Sequence, residues 1–460
     1  MMRNMKMRAR VASLLLAAAA VCASAQMNQP TSTNVFLHPL SRVEAIALAL
    51  RKNTAILKGK ADLRASYGIE IQLRSIALPQ LAASGNYNAE GESLVQNFPI
   101  PTNFNYNLKF PNQNWSAEIK VQQSIYEGGR LTSAFRSAKL TRQQALLNYQ
   151  TVLADTLLSV RIAYDDVLVA AQQIAVNEAS VQLLTHELDD VKRRFDAGSV
   201  PQFDVLRARV ELANERPHLI QARNAYRIGK NNLLNLLGIN LPTTIWEDIP
   251  LELSDSLEAG PSDIDLPRAL ASALDKRPEL AALRKAEGLR REDLVAARSG
   301  YKPSASIFGG YQWQSPLYEE DLNDDLHGWI AGAQLNWNIF DGQLTRGKIM
   351  EARARYDQAK LDVDDSKRQI ELDVRTAYSN FIEAREVLES QESVQEEAQE
   401  ALRLAEARLT AGSGTQLDVL DAQTSLTQAR TTQVQAVHDY AVARARLQRA
   451  MGDDMEILQK

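Results

Sequence analysis

The sequence predicts a mainly α-helical protein built from a unit duplicated in tandem, with four membrane β-strands that form part of a barrel. Three observations predict this class. Residues 194–206 (RFDAGSVPQFDVL) recur 214 positions later as residues 408–420 (RLTAGSGTQLDVL). Residues 131–195 and 345–409 contain no proline, so each segment can form one long helix. Between the helical segments the apolar pattern changes to a period of two residues, which is typical of strands.

The repeat extends well beyond this phrase. At the same offset, IYEGG from Ile125 aligns with IFDGQ from Ile339. Further upstream Pro79 aligns with Pro303 at an offset of 224, so the second copy is ten residues shorter there. A long unit present twice is not a solenoid of short repeats. The predicted organisation is a first repeat at 41–240, a connector at 241–266, a second repeat at 267–452 and a tail at 453–460.

Residues 1–25 are predicted to be a secretory signal peptide. A basic start precedes the apolar run VASLLLAAAAVC and the sequence Ala23-Ser24-Ala25, an A-x-A cleavage site. This run is shorter than the roughly 20 residues of a membrane-spanning helix, which argues against an anchor. The only cysteine, Cys22, lies within it, and bulky Val21 disfavours lipid attachment. The mature chain therefore begins with a polar lead at 26–40 and has no disulfide.

Composition and motifs exclude several function classes. The net charge is −5 and provides no basic patch, so no nucleic acid partner is expected. No mature segment has 18 consecutive apolar residues, so a membrane role would have to use strands. Catalytic and nucleotide-binding fingerprints are missing, so we expect no enzyme, no cofactor and no metal site. The five histidines are scattered: His38, His186, His218, His327 and His438.

Three helices are expected in each repeat. The long central helices, 131–195 and 345–409, predict a coiled coil, because a seam of apolar residues recurs every seven positions after Ile174. Ser41 and Glu44 have capping-box spacing at the start of the first helix, whereas Pro217 should kink the last helix of the first repeat unless it is accommodated locally. The shorter helices are expected at 41–77, 203–237, 267–298 and 417–450.

Two strand pairs are expected, at 80–125 and 304–339. Each run has about ten residues with alternating faces, the length of a strand that crosses a bilayer. A soluble antiparallel sheet is the alternative. Four strands cannot close a barrel, whereas two chains would supply eight strands and three chains twelve. The aromatic residues expected at the membrane interface are Tyr87, Trp115, Tyr311, Trp313, Trp329 and Trp337.

These features together resemble the TolC-like outer-membrane efflux and secretion channels. The signal peptide, the two copies with two strands each, the IYEGG and IFDGQ segments and the paired AGS turns carry the resemblance. It implies a homotrimer with a 12-stranded β-barrel in the outer membrane and a 12-helix tube through the periplasm. It also implies contact with outer-membrane lipid, a periplasmic adaptor and an inner-membrane pump as partners, and no chemistry in the channel itself.

The resemblance assigns the repeated phrase to the turns at the periplasmic tip, where a glycine ends one helix and polar residues begin the next. These turns are expected to receive the helical hairpins of the adaptor, although local turn geometry alone would explain several of the residues. The residues expected at the docking turns are Arg194, Gly198, Ser199, Asp204, Arg408, Gly412 and Ser413.

The resemblance also implies acidic rings at a pore constriction, formed by Asp418 and Asp421. Asp421 replaces Arg207 of the first copy, so a helix cap common to both turns does not explain it. Leu409 and Gly414 stand where well-known members carry a tyrosine and an arginine that lock the gate. Closure by apolar contact, or easier opening, is then expected. A solvated helix surface is the alternative for the two aspartates.

The expected function is the exit duct of a tripartite efflux or type I secretion system. Such a duct passively conducts small toxic compounds or other cargo from an inner-membrane pump across the periplasm and outer membrane. A polypeptide secretion duct of the same family and a periplasmic coiled-coil scaffold without a channel are the alternatives.

Overall fold

The computed structural model describes residues 38–91, 112–240, 248–257, 260, 264–316 and 324–453. The predicted signal peptide and most of the two loops that join the strands lie outside these ranges. Within them, the helices are α1 (Arg42–Lys52), α2 (Thr54–Ser75), α3 (Arg130–Asp196), α4 (Gln202–Leu236), α5 (Leu266–Lys276), α6 (Pro278–Arg298), α7 (Leu344–Thr410) and α8 (Gln416–Met451). The strands are β1 (Gln80–Ala89), β2 (Gln113–Glu127), β3 (Ser304–Gln314) and β4 (Leu326–Asn336).

The long helices form four rods that lie side by side. On one flank α3 packs along α2 and α4, and on the other flank it packs along α6 and α8. The fourth rod, α7, packs along α6 and α8. Helices α3 and α7 have 67 residues each, which is about 100 Å. The shorter helices stack end to end in pairs, α2 with α4 and α6 with α8, and match that length.

The sheet has the same order as the rods. Its four strands are antiparallel in the order β1-β2-β3-β4, so β1 and β4 are the edges. Strand β1 follows α2 in the first rod, and strand β4 leads into α7 in the last. The described part of one chain is therefore an open ribbon of strands above an open row of helices.

The strand register places apolar side chains on one face of the sheet. Paired positions share a face, and Ile119 is paired with Tyr311, which is paired with Trp329. The larger side chains of this face are Leu81, Tyr87, Trp115, Ile119, Val121, Ile307, Tyr311, Trp313, Trp329 and Leu335. The opposite face is mainly polar. It includes Phe308, whose ring lies under Lys120 Nζ at 4.5 Å and occupies the space that Gly332 leaves open.

The prediction of a single helix at 41–77 was wrong, because Asn53 divides it. Asn53 is extended and its buried side chain caps α2: Oδ1 accepts hydrogen bonds from the N–H groups of Ala55 and Ile56 at 2.8 and 3.2 Å. Its Nδ2 donates to the carbonyl oxygen of Leu236 at the end of α4. The cap therefore lies where α2 and α4 meet in the first rod.

The prediction of one helix at 267–298 was also wrong. Pro278 forces Arg277 into an extended conformation with ψ of 121°, which ends α5 before α6 begins. In contrast, α4 continues through Pro217. The strand expected to continue to residue 339 ends at Asn336, so Trp337 lies just beyond β4.

The connector packs near the middle of the long helices. Leu40 forms a parallel bridge with Leu253, and Leu251 is buried in the same cluster as the fully buried Tyr164 of α3. The hydroxyl of Tyr164 donates to the carbonyl oxygen of Leu40 at 2.8 Å. On the second repeat, the hydroxyl of Tyr440 donates to the carbonyl oxygen of Gly260 at 3.1 Å.

An ionic cluster joins three of the four rods at this level. Arg449 of α8 is buried and pairs with Asp155 of α3 at 2.7 Å and with Glu279 of α6. Arg277 pairs with the same Glu279 at 3.4 Å and with Asp373 of α7 at 3.2 Å. Burial alone would raise the pKa of Glu279, but the hydrogen bond and charge of Arg449 outweigh it and lower the pKa below its ordinary value.

Replacing Arg449 should therefore destabilise the packing between the repeats. In Arg449→Met we expect the midpoint of thermal unfolding to fall by about 3–5 °C, because Asp155 and Glu279 lose their buried partner. Arg403→Met removes an exposed pair with Glu400 and should change the midpoint by less than about 2 °C. Circular dichroism during heating measures both.

This difference should also depend on pH. The pKa of Glu279 in the folded protein lies below its unfolded value of 4.5. The stability that the pair of Arg449 and Glu279 contributes is therefore fully present above pH 4.5 and is lost as the pH falls through the folded pKa. A midpoint for Arg449→Met equal to that of the parent at neutral pH would contradict the assignment.

Candidate functional site at the interhelical turns

Two turns at one end of the rods carry the repeated sequence. The first joins α3 to α4. Gly198 has a φ of +73°, a left-handed conformation that costs a glycine little, and its N–H donates to the carbonyl oxygen of Phe195 at 2.8 Å. Ser199 donates to the carbonyl oxygen of Arg194 from both its N–H and its hydroxyl. These bonds satisfy carbonyl groups that the end of α3 would leave unpaired.

The second turn joins α7 to α8 with the same backbone geometry. Gly412 has a φ of +70° and its N–H donates to the carbonyl oxygen of Leu409 at 3.0 Å. The N–H groups of Ser413 and Gly414 both donate to the carbonyl oxygen of Arg408. A Cβ at Gly414 would lie 3.0 Å from the Leu409 nitrogen, so a side chain there would be crowded. The repeated phrase thus encodes one turn geometry twice.

The two turns begin their following helices differently. In the second, Thr415 and Asp418 form a capping box: the Asp418 carboxylate accepts from the Thr415 N–H at 2.8 Å, and the Thr415 hydroxyl accepts from the Asp418 N–H. The hydrogen bond from the Thr415 backbone, then that from its hydroxyl, and finally the charge of Arg408 hold the pKa of Asp418 below its ordinary value. In the first turn, Pro201 precedes α4 and supplies no side-chain cap.

Asp418 and Asp421 are both exposed on α8, one turn apart. Asp418 has a local role as a cap, whereas the Asp421 side chain takes no part in starting the helix. Asp204, the first-repeat counterpart of Asp418, is half-buried and its N–H donates to the carbonyl oxygen of Pro201. The capping roles of these acidic residues therefore differ between the turns.

The two turns lie close together. Gln416 of α8 donates a hydrogen bond to Glu187 of α3, and Leu420 packs among the apolar residues that join α3 and α4. Leu409 packs against a separate cluster around Leu402 between α7 and α8. These contacts bring the four helix ends into one group.

Arg194 pairs with Asp190 on its own helix at 2.7 Å, and the sequence analysis missed this contact. It also missed Glu187 and the cap formed by Thr415. The T-x-x-D spacing could have predicted the cap, whereas no local pattern indicates the contact of Gln416 with Glu187 across 229 residues.

The predicted interface aromatics fall into two groups. Tyr87 is paired with Trp115 and Tyr311 with Trp329, and the rings of Tyr311 and Trp313 lie 4.7 Å apart, all toward the end of the sheet far from the helices. Trp337 lies at the opposite end, where its Nε1 donates to the carbonyl oxygen of Tyr301 at 3.2 Å.

The described ranges contain no cluster of three or more His, Cys, Asp or Glu side chains placed to bind a metal ion. None of their helices combines the length and the hydropathy that crossing a membrane would require.

The model of the outer membrane efflux protein family matches the chain twice, over residues 45–239 and 269–453. The chain belongs to the outer membrane efflux protein family. Each match covers one of the two repeats. The resemblance recognised from the sequence is therefore confirmed, and with it the location in the outer membrane and the function of an exit channel for efflux or secretion.

Similar proteins agree with this family. Outer membrane protein TolC of Escherichia coli is 22% identical, and the match covers 87% of this chain and 80% of TolC. Alkaline protease secretion protein AprF of Pseudomonas aeruginosa is 23% identical, with 81% and 76% covered. The crystal structure of the Campylobacter jejuni CmeC outer membrane channel superposes with a TM-score of 0.76 at 14% identity, with 91% and 88% covered. The mainly helical fold class with a sheet at one end is confirmed.

Substituting the left-handed glycine of the second turn should weaken the site. In Gly412→Ala we expect a fall in the thermal midpoint of about 1–2 °C, because a Cβ is strained at a φ of +70° although no atom crowds it. Gly347→Ala, in α7 with equally open surroundings and no positive φ, should be neutral or stabilising. Equal effects of the two substitutions in a thermal scan would refute the role of the turn geometry.

Proposed function

We propose that three copies of this chain form the outer-membrane exit duct of a tripartite efflux or type I secretion system. The single observation that carries the proposal is the open ribbon and row described above. The edge strands β1 and β4 and the two end rods belong to the same chain. None of them has a partner on its outer side among the described residues. The proposal covers the subunit number, the partners and the acidic constriction.

The sheet needs partner strands. Strand β1 is exposed along its whole length, and β4 is the other edge. An open edge cannot face lipid, because unpaired backbone N–H and C=O groups have no partner in hydrocarbon. The exposed side chains of the apolar face include Trp329 at 78% and Leu335 at 72%, which suits contact with lipid. The six aromatic residues would lie at the two interfaces of that membrane.

The rods at the ends of the row also expose apolar side chains. On α7, Met350, Leu361 and Leu372 follow one another at intervals of 11 residues, which places them on one face of the helix. On α4, Phe203, Leu206, Val210, Ile220 and Ile228 are exposed at helical spacing. These two faces would meet between neighbouring copies. The resemblance to TolC-like channels favours three copies, hence 12 strands and 12 rods.

The turns would receive the partners. We propose that the helical hairpins of a periplasmic adaptor contact the exposed parts of both turns, around Gly198 and Gly412, and that the adaptor connects the duct to an inner-membrane pump. In the part of the chain that the structure describes, no convergent catalytic groups favour an enzyme. Small toxic compounds are the first candidate for the cargo. Secretion of a polypeptide is the second candidate, which the name of AprF suggests.

Three copies of Asp418 and Asp421 would form two acidic rings one turn apart. Rings of carboxylates in a narrow opening attract cations and repel anions. Leu409 and Gly414 would lie at the same constriction, where Leu409 joins an apolar cluster and Gly414 carries no side chain that could lock it. We therefore propose a constriction that selects by charge and closes by apolar contact.

Conductance in a planar bilayer tests the duct and its rings. The parent should give cation-selective currents, and Asp421→Asn should lower the ratio of cation to anion permeability at least about threefold, because it removes three charges from one ring. Asp418→Asn should lower it as well. The matched control is Asp204→Asn in the first turn, which should leave selectivity unchanged.

The outcomes separate the parts of the proposal. Currents that are insensitive to both substitutions on α8 would keep the duct and remove the rings. A folded, membrane-extracted protein that gives no current under any condition would contradict the duct itself.

A further inference from the structure

A polar groove lies about midway between the tip and the connector, bounded by α3, α4 and α8. It has a volume of about 480 Å³, within the range of small-molecule sites. Along α3 it extends from Gln173 to Leu184, which is about 16 Å. Side chains of both repeats line it, and most carry amide or hydroxyl groups.

Gln423 of α8 lines this groove with an unsatisfied side chain. Only 3% of the residue is exposed, and neither its Nε2 nor its Oε1 has a hydrogen-bond partner in the described part of the chain. Buried amides are nearly always paired, because an unpaired donor and acceptor each lose their bonds to water without replacement. The amide therefore indicates a partner that the described residues do not provide.

Two carboxylates line the same groove on α4. The Oε1 atom of Glu215 is buried and has no partner in the described ranges, and Glu211 lies one turn earlier on the same face. The described residues of the lining include His218 but no lysine or arginine. Two carboxyl side chains and an unpaired amide thus line one groove, a combination that favours a cation with further hydrogen-bonding groups.

We propose that this groove binds a small hydroxylated organic cation, such as an amino sugar. Its ammonium group would donate to Glu215 Oε1 and Gln423 Oε1, and a hydroxyl oxygen would accept from Gln423 Nε2. Asn177 and Thr427 already donate within the groove, to Gln173 and Ser180, but their side-chain oxygens can still accept from hydroxyl groups of such a ligand. A bound ligand would connect α3 and α4 of the first repeat to α8 of the second. This inference goes beyond the duct and does not depend on the subunit number.

Isothermal titration calorimetry of the detergent-extracted full chain tests the site with glucosamine as the probe. We expect saturable binding of glucosamine below neutral pH. N-acetylglucosamine, which keeps the ring and most hydroxyls but has no charge, should bind at least tenfold more weakly. N-acylated sugars are the form found in cell-wall glycans. The comparison therefore also distinguishes a free amino sugar from a glycan-derived sugar as the ligand.

Two variants identify the residues. Glu215→Gln keeps the shape and removes the charge, so glucosamine affinity should fall at least tenfold. Gln423→Met removes the amide, so it should abolish binding while raising the thermal midpoint of the protein without ligand. Glu400→Gln, an equally conservative change on the exposed face of α7, should leave affinity unchanged.

Several results would overturn the proposal. One is a titration with glucosamine whose heat does not saturate. Another is an affinity for N-acetylglucosamine equal to that for glucosamine, and a third is an unchanged affinity for glucosamine in Glu215→Gln. A lower thermal midpoint in Gln423→Met would mean that bound water already satisfies the amide, and it would likewise overturn the inference. If Gln423→Met fails to fold, Glu215→Gln still decides the question.

Discussion

The constraint on which the rest of this structure depends is the pair of sheet edges, β1 and β4, which have no outer partner strand among the described residues. A four-stranded ribbon with one apolar face cannot remain open in a membrane, because its edge N–H and C=O groups have no partner in lipid. The row of rods also needs partners at its ends, because α4 and α7 expose apolar side chains there. Because strands and rods follow the same order, one arrangement of copies can satisfy both layers at once.

Duplication gives each chain two similar halves, and the proposed acidic constriction lies where their sequences differ. The turns share one backbone, with Gly198 and Gly412 in the same left-handed conformation. The side chains that follow diverge: Asp421 replaces Arg207, and the second turn alone has the capping box of Thr415. Near the middle of the rods the cluster around Arg449 joins the two halves, and its residues lie outside the turns. A change of charge in the turns therefore removes no contact of this cluster.

The sequence predicted the features that depend on local pattern. The capping box of Ser41 with Glu44 is present, and proline-free segments form the two long helices. The break at Pro278 was predictable from the proline and was missed. The break at Asn53 combines a local cap with a bond to Leu236, a tertiary contact that no local pattern reveals. Of the site, the turns followed from the repeat, but the contact between Gln416 and Glu187 did not, because it joins residues far apart in the chain.

The measurement that tests the central claim most directly is a cryo-electron microscopy map of the full-length protein extracted from membranes. The account predicts threefold symmetry, with β1 of each copy paired to β4 of the next and with the exposed faces of α4 and α7 in contact. A map of a monomer, or of an assembly in which β1 and β4 of neighbouring copies do not pair, would contradict it.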